Sequence, residues 1–389
     1  MQIKPIYIKN VTVFSEEDIL ENCALLLENG KISKIGIQEE SNLPENVEFI
    51  DGKGKLVIPG FIDGHIHGAN GADVMDATST ALDMMTEALP WEGTTSFLAT
   101  TITQAPENID KALEAVAVYE NKPGQAEVIG VHLEGPFIEK TKAGAQPHAF
   151  IKEPDRQQFE RWQHLSGNKI KTITMAPEHD PDGTFIKYLT EQGINVSAGH
   201  TAAGFSEIKQ AVEHGVRQIT HLCNAMNGIH HRDIGTVGAA FMLQELRAEL
   251  IADGIHVSQK MLELIYQNMG SKRLMLITDA MRAKCLQKGQ YELGGQPVEV
   301  TEGRAVLEDG TLAGSILKMR DGAKQMLEIE GVTIKEVIEM TSVNPAKQLN
   351  LYHRKGSIAV GKDADLLLVD RDLHITCTIC RGEVAFREE

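Results

Sequence analysis

From about residue 57 to residue 280, short apolar runs alternate with segments of helical periodicity. The apolar runs fall near 60–66, 94–101, 127–133, 170–176, 194–198, 217–222, 248–252 and 273–278. Helix-like segments follow most of them, among them 81–89, 107–119, 205–213 and 259–268. Eight strands, each trailed by a helix, predict an α/β fold whose parallel sheet closes into a (β/α)8 TIM barrel. The two ends of the chain have a different texture. Residues 6–13, 23–27 and 31–35 read as short β segments separated by polar turns, with Asn29-Gly30 as a hairpin signal. Residues 356–360, 364–370 and 375–380 return to that style around Gly-Lys-Asp turns.

This pattern predicts a small β-sandwich domain built from both termini, residues 1–55 and 355–389, around a catalytic barrel of residues 56–354. Gly-rich β-hairpins are expected as an insertion around 282–310, and helices near 316–329 and 333–350 lead back to the terminal sheet. A length of 389 residues accommodates a barrel with one accessory domain.

Charge narrows the partners. Lys plus Arg number 38 against 55 Asp plus Glu, a formal net charge of −17 that repels polyanions and argues against nucleic acid. A few local cations still suffice for a small phosphorylated ligand. No apolar stretch is long enough for a membrane span, and residues 1–13 lack the apolar run of a signal peptide, so a cytoplasmic protein without a membrane partner is expected. The five cysteines are scattered and read as reduced thiols. Cys377 and Cys380 form an isolated C-x-x-C, read as packing of a terminal strand rather than a zinc knuckle.

The chemistry gathers at strand ends. His65 and His67 stand two apart at the end of the first barrel strand, so both side chains can face the C-terminal mouth. Two imidazoles on one strand make half of a site for zinc or iron. Glu134 ends the third strand, His200 the fifth, His221 the sixth and Asp279 the eighth. Six candidate ligands or bases at the ends of five strands point to a metal-dependent hydrolase. For Asp279 the plain alternative is a strand-end cap. His132, two before Glu134, reads equally as a supporting neighbour of the ligands or as a packed core histidine.

This constellation resembles the amidohydrolase superfamily. Within it, His132-Leu133-Glu134-Gly135-Pro136-Phe137, Ala198-Gly199-His200-Thr201, His221-Leu222-Cys223-Asn224-Ala225-Met226, Ala252-Asp253-Gly254-Ile255-His256, Thr278-Asp279-Ala280 and Leu312-Ala313-Gly314-Ser315 resemble the N-acetylglucosamine-6-phosphate deacetylases. The resemblance runs in order from about 57 to 365, and Gly361-Lys362-Asp363-Ala364-Asp365 fits the superfamily's small β domain.

The resemblance implies deacetylation of N-acetyl-D-glucosamine 6-phosphate to D-glucosamine 6-phosphate and acetate, in amino-sugar catabolism and cell-wall recycling. It assigns Glu134, His200 and His221 to one metal and His65 and His67 to a second, with Glu134 as the bridge. Two divalent ions per subunit are expected, zinc or iron, with manganese or cobalt also suited to these donors. A carbamylated lysine lacks support, because the bridging position holds Glu134. Asp279 is the implied general base and acid as well as a metal contact. Arg232 and His256 match phosphate and sugar contacts, and Ala145, Gln146, Asn224, Ala225, Asp253, Leu312, Ala313 and Gly314 complete the implied substrate-binding set. Gln146 stands where some members carry His; its amide can hydrogen-bond but carries no charge. In this family the arginine reaches into the neighbouring subunit's site, which implies a homodimer. The alternatives weighed are the galactosamine isomer, a cyclic amide, and a non-catalytic scaffold, which would be expected to lack some of these ligands.

Overall fold

In the computed structural model, which describes residues 3–36 and 42–388, the eight apolar runs become one all-parallel sheet. Its strands are Phe61–Ile66, Thr94–Thr101, Glu127–Glu134, Ile170–Met175, Asn195–Ala198, Gln218–Ile219, Arg247–Ile251 and Leu274–Ile277. Each pairs with the next in chain order. The ring closes between the first and eighth strands, where the Asp279 N–H donates to the His65 carbonyl at 2.8 Å and a parallel bridge joins Ile66 to Ala280.

A helix follows every strand: Ser79–Ala88, Pro106–Val118, Arg156–Leu165, Thr184–Glu191, Phe205–His214, Gly235–Met242, Gln259–Met269 and Met319–Leu327. Their apolar stripes explain the arrangement. Ile109, Leu113 and Val116 recur at helical spacing and are fully or almost fully buried against the sheet. Every residue of Thr94–Thr101 is buried, as a strand covered on both faces must be. Helix starts are pinned by Thr78 and Asp155, whose side chains accept from the backbone N–H groups of Ala81 and Gln158.

The two termini share one mixed sheet. Leu56–Pro59 pairs in parallel with Ile6–Phe14 and antiparallel with Leu366–Val369, and leads straight into the first barrel strand. Ile19–Glu28, Lys31–Ile35 and Glu48–Asp51 extend this sheet on one side, Ile375–Cys380 and Glu383–Arg387 on the other. Cys377 packs in this sheet's core with Ile8, Leu25, Leu366 and Ile379. Buried Lys355 joins Glu127, at the base of the third barrel strand, to Asp363 and Asp365.

Two local expectations are corrected. Residues 356–360 form no strand; only a bridge between Ser15 and Ile358 survives there. The sixth strand stops at Ile219, because the chain turns sharply through His221 (φ +30°) and Cys223 (φ +80°). The insertion is a three-stranded sheet, Gly289–Leu293, Gln296–Val300 and Ala305–Val306, folded over the barrel mouth. Gln104 Nε2 donates to the Gly294 carbonyl at 2.8 Å and Gln296 Nε2 to that of Ala145 at 2.7 Å.

Candidate metal centre

At the C-terminal mouth the six strand-end residues converge in two adjacent groups, His65–His67–Asp279 and Glu134–His200–His221. Glycines next to two of them permit the close approach. Gly135, which follows Glu134, has φ +70°, and a Cβ there would lie 2.1 Å from Thr103 Oγ1. A Cβ on Gly199, before His200, would lie 2.6 Å from Thr220 Cβ. Three donors hold left-handed backbone, His200 at φ +48°, His221 at +30° and Asp279 at +49°. Such conformations cost on the order of 1–3 kcal/mol each and persist where surrounding structure enforces them.

The donor spacing fits a metal. His200 Nε2 lies 3.1 Å from His221 Nε2, and Glu134 Oε1 lies 3.2 and 3.3 Å from the same two atoms. Asp279 Oδ1 is 3.4 Å from His65 Nε2 and 3.2 Å from His67 Nε2. Bonds near 2.0–2.1 Å in a tetrahedral site put neighbouring donors ~3.3 Å apart. Glu134 stands between the groups, with Oε1 3.4 Å from His65 Nε2 and Oε2 3.3 Å from His67 Nε2.

The ring nitrogens that face inward are prepared for a cation. His200 Nδ1 lies 2.8 Å from the Lys142 carbonyl, which can only accept, so Nδ1 carries the proton and a neutral ring leaves Nε2 bare. The buried Nε2 of His65 makes no hydrogen bond among the described residues.

Electrostatics tell the same story. Burial alone would raise Glu134, but the surrounding His65, His200 and His221 rings hold it well below the carboxylate range. Burial likewise opposes the charge on Asp279, yet His65 and His67 bring it down to about 2. For His67 the carboxylates of Asp279 and Glu134 outweigh burial and lift it to about 9. Mutual stabilisation of this kind marks a site whose charges are meant to be neutralised by one another or by a cation.

A cavity of about 220 Å³ opens over these donors. Of the expected substrate residues, Ala145, Gln146, Asn224, Ala225, His256, Leu312 and Gly314 line it. Asp253 stands behind, its carboxylate 2.6 Å from His256 Nδ1. Ala313 packs under the insertion with Leu293 and Val298 instead. Arg232 is exposed on a loop outside this cavity, 2.8 Å from His231 Nε2. Among the described residues no Lys or Arg lines the cavity.

Gln146 takes a definite position: Nε2 donates to Glu134 Oε2 at 2.6 Å and Oε1 accepts the Thr103 N–H at 2.8 Å. His132 packs edge-on against His65 with ring centroids 4.5 Å apart and bonds Thr174 Oγ1 at 2.7 Å. Burial, reinforced by His65, holds it well below its ordinary value, so it is neutral. Sequence reasoning missed Glu249, a buried carboxylate 3.0 Å from His65 Nδ1. The available signal was a lone acid in the apolar strand Ala248-Glu249-Leu250-Ile251.

Residues 56–385 match the amidohydrolase family. Over 383 residues the chain is 45% identical to the N-acetylglucosamine-6-phosphate deacetylase of Bacillus subtilis (strain 168), covering 97% of this chain and 96% of that one. It is 33% identical to the N-acetylgalactosamine-6-phosphate deacetylase of Escherichia coli O157:H7, with 96% and 97% covered. A solved structure of an alanine variant of the Mycobacterium smegmatis N-acetyl-D-glucosamine-6-phosphate deacetylase, in complex with N-acetyl-D-glucosamine-6-phosphate, matches with a TM-score of 0.88. The identity there is 26%, over 99% of this chain and 100% of that one.

Proposed function

The chain belongs to the amidohydrolase family, and on that premise we propose that it hydrolyses the acetamide of N-acetyl-D-glucosamine 6-phosphate. The products are D-glucosamine 6-phosphate and acetate, and the setting is amino-sugar catabolism. The convergence of six donor side chains at the floor of a cavity of sugar size carries this reading. The 45% identity to a deacetylase named for this substrate supports the sugar.

Glu134, His200 and His221 would hold one divalent cation and His65, His67 and Asp279 a second, with Glu134 between them; zinc or iron suits the donors. With cations bound, the site supplies water of pKa lowered from about 15.7 towards 7 and a polarised amide carbonyl. Asp279 then acts on protons. It accepts one from the attacking water as the C–O bond forms, and delivers it to the sugar nitrogen as the C–N bond breaks. Gln146, fixed by the Thr103 N–H, holds the Glu134 carboxylate in place through Oε2. His256, oriented by Asp253, leaves Nε2 as its remaining polar atom for the sugar.

Phosphate needs a cation that this cavity does not offer from its own wall. Arg232, exposed on its loop, supplies it to the neighbouring subunit of a homodimer, where its planar donors match a phosphate. All five thiols are free, the state kept in a reducing cytoplasm, which is the proposed location.

The E. coli relative favours a second reading, the galactosamine epimer. Side-by-side kcat/KM on the two N-acetylhexosamine 6-phosphates decides between them. A preference for the gluco epimer is expected; a preference for the galacto epimer would replace it.

A further inference from the structure

We infer that Glu249 is a positioning residue for the metal centre, held in orientation by a chain of side-chain hydrogen bonds that crosses the barrel floor from Arg247. The inference rests on the metal-binding reading of the site above. Glu249 is 1% exposed on the seventh barrel strand. Its Oε2 faces His65 Nδ1 at 3.0 Å and accepts the His221 backbone N–H at 3.2 Å. One carboxylate therefore touches a member of each donor group: the ring of His65 and the backbone of His221. His65, His132 and Glu249 also stand within ligand reach of one another, but His65 Nδ1 and Glu249 are bonded to each other and His132 Nε2 is taken by Thr174. This leaves His132 Nδ1 as the one ring nitrogen of that group without a hydrogen bond among the described residues.

The other oxygen of Glu249 ends the chain. Oε1 accepts from Gln218 Nε2 at 2.6 Å, and Gln218 Oε1 accepts from Asn195 Nδ2 at 2.7 Å. Asn195 Oδ1 accepts from Gln348 Nε2 at 2.6 Å, and Gln348 Oε1 accepts from Arg247 Nη1 at 2.7 Å. Each amide has one donating end and one accepting end. A guanidinium only donates and a carboxylate only accepts, so the two termini of the chain fix the direction of all three amides between them. Every proton points toward Glu249. The carboxylate in turn can only accept from His65, so a neutral ring, the form that binds a cation, carries its proton on Nδ1 and leaves Nε2 bare toward Glu134 and Asp279. A ligating imidazole whose far nitrogen donates to a carboxylate is both oriented and made more basic.

The direction of the chain makes a sharp test. In Glu249→Gln the new amide satisfies Gln218 only by turning its oxygen to it and its NH2 toward His65. That contact demands a bare Nδ1 and moves the ring proton to Nε2, the nitrogen that faces the cation site. Reversing the amides instead would press an NH2 against Arg247, which cannot accept. The exchange Glu249→Gln with Gln218→Glu restores a full set of partners: the new Glu accepts from both amides beside it, and the new Gln turns its oxygen back to His65.

The experiment uses full-length metal-free protein labelled with [15N]histidine, with His65→Asn to assign the His65 signals, and zinc alone as the probe. Long-range proton–nitrogen correlation reads the tautomer, and zinc titration with elemental analysis reads affinity and stoichiometry. Burial opposes the charge on the His65 ring, but Glu134, Asp279 and Glu249 hold its second proton well above the ordinary histidine range, so the correlation is read in alkaline solution where the ring keeps one proton. Nδ1–H is then expected in the wild type and Nε2–H in Glu249→Gln, with zinc at the His65 group weakened roughly tenfold to a hundredfold. The exchange variant is expected to recover Nδ1–H and most of the zinc affinity. Unchanged tautomer and zinc binding in Glu249→Gln would overturn the inference. So would an exchange variant that melts like the wild type yet binds zinc no better than Glu249→Gln. Neither readout involves sugar turnover, so failure here is distinguishable from failure of the substrate reading.

Discussion

Replacing Asp279 by Asn removes one proton acceptor and leaves its surroundings almost untouched. The backbone is held on both sides, its N–H donating to the His65 carbonyl at 2.8 Å and its carbonyl accepting from Ser315 at 2.7 Å. Its φ of +49° lies in the left-handed region that Asn adopts as readily as Asp. Asn also keeps an oxygen where Oδ1 stands, 3.4 Å from His65 Nε2 and 3.2 Å from His67 Nε2. What it loses is the ability to take a proton. Positioned acid–base groups contribute about 10²- to 10⁴-fold, so kcat should fall by that factor, about 2.7–5.5 kcal/mol on the barrier. The assay is steady-state acetate release over a range of substrate concentrations, with metal per chain measured on the same sample. Metal content and KM should stay near wild type while kcat collapses. A variant with full metal and kcat within about tenfold of wild type would show that another group moves the proton.

Metal removal should expose a pH dependence in stability. In the metal-free protein His67 is lifted from its ordinary 6.5 to about 9, so its protonated ring contributes fully below 6.5 and that contribution is lost as pH rises through about 9. The melting temperature of metal-free protein should therefore drop over this window while zinc-loaded protein holds nearly level; parallel curves would contradict the assignment. Lys284 is fully buried with Nζ 2.5 Å from Glu92 Oε1. Lys284→Met should cost about 3–5 kcal/mol in urea unfolding, and adding Glu92→Leu should recover most of it, since the loss comes from leaving one charge buried and unpaired. An unchanged midpoint in the single variant would contradict this. If Arg232 acts across a dimer, Arg232→Ala and Asp279→Asn proteins, each nearly inactive, should regain activity when co-expressed, because a mixed dimer rebuilds one complete site. No gain, with mixed dimers confirmed, would place the phosphate cation elsewhere.

The barrel was legible because eight buried parallel strands leave eight apolar runs, and a run survives without knowledge of its neighbours. The convergence of the candidate metal donors was legible for a related reason. Strand ends at one face of the barrel concentrate function, so His65, His67, Glu134, His200, His221 and Asp279 declared themselves by position. Features made by contact across the chain were not. Glu249 meets His65 across 184 positions, and Gln348 meets Asn195 across 153, so nothing local announces either pair. Local strain was hidden too. The sixth run looked like a strand to residue 222, yet His221 needs φ +30° to aim its ring, and the strand ends at Ile219. Gln146 read as a sugar contact, and it lines the cavity, but its amide is also bonded to Glu134.

The most direct test of the central reading is acetate release from N-acetyl-D-glucosamine 6-phosphate beside unphosphorylated N-acetyl-D-glucosamine, using protein whose metal content has been measured. Rapid release from the phosphorylated sugar, with little from the other, is the expected result. Fully metal-loaded protein that releases acetate from neither sugar, or from both at equal rates, would contradict it.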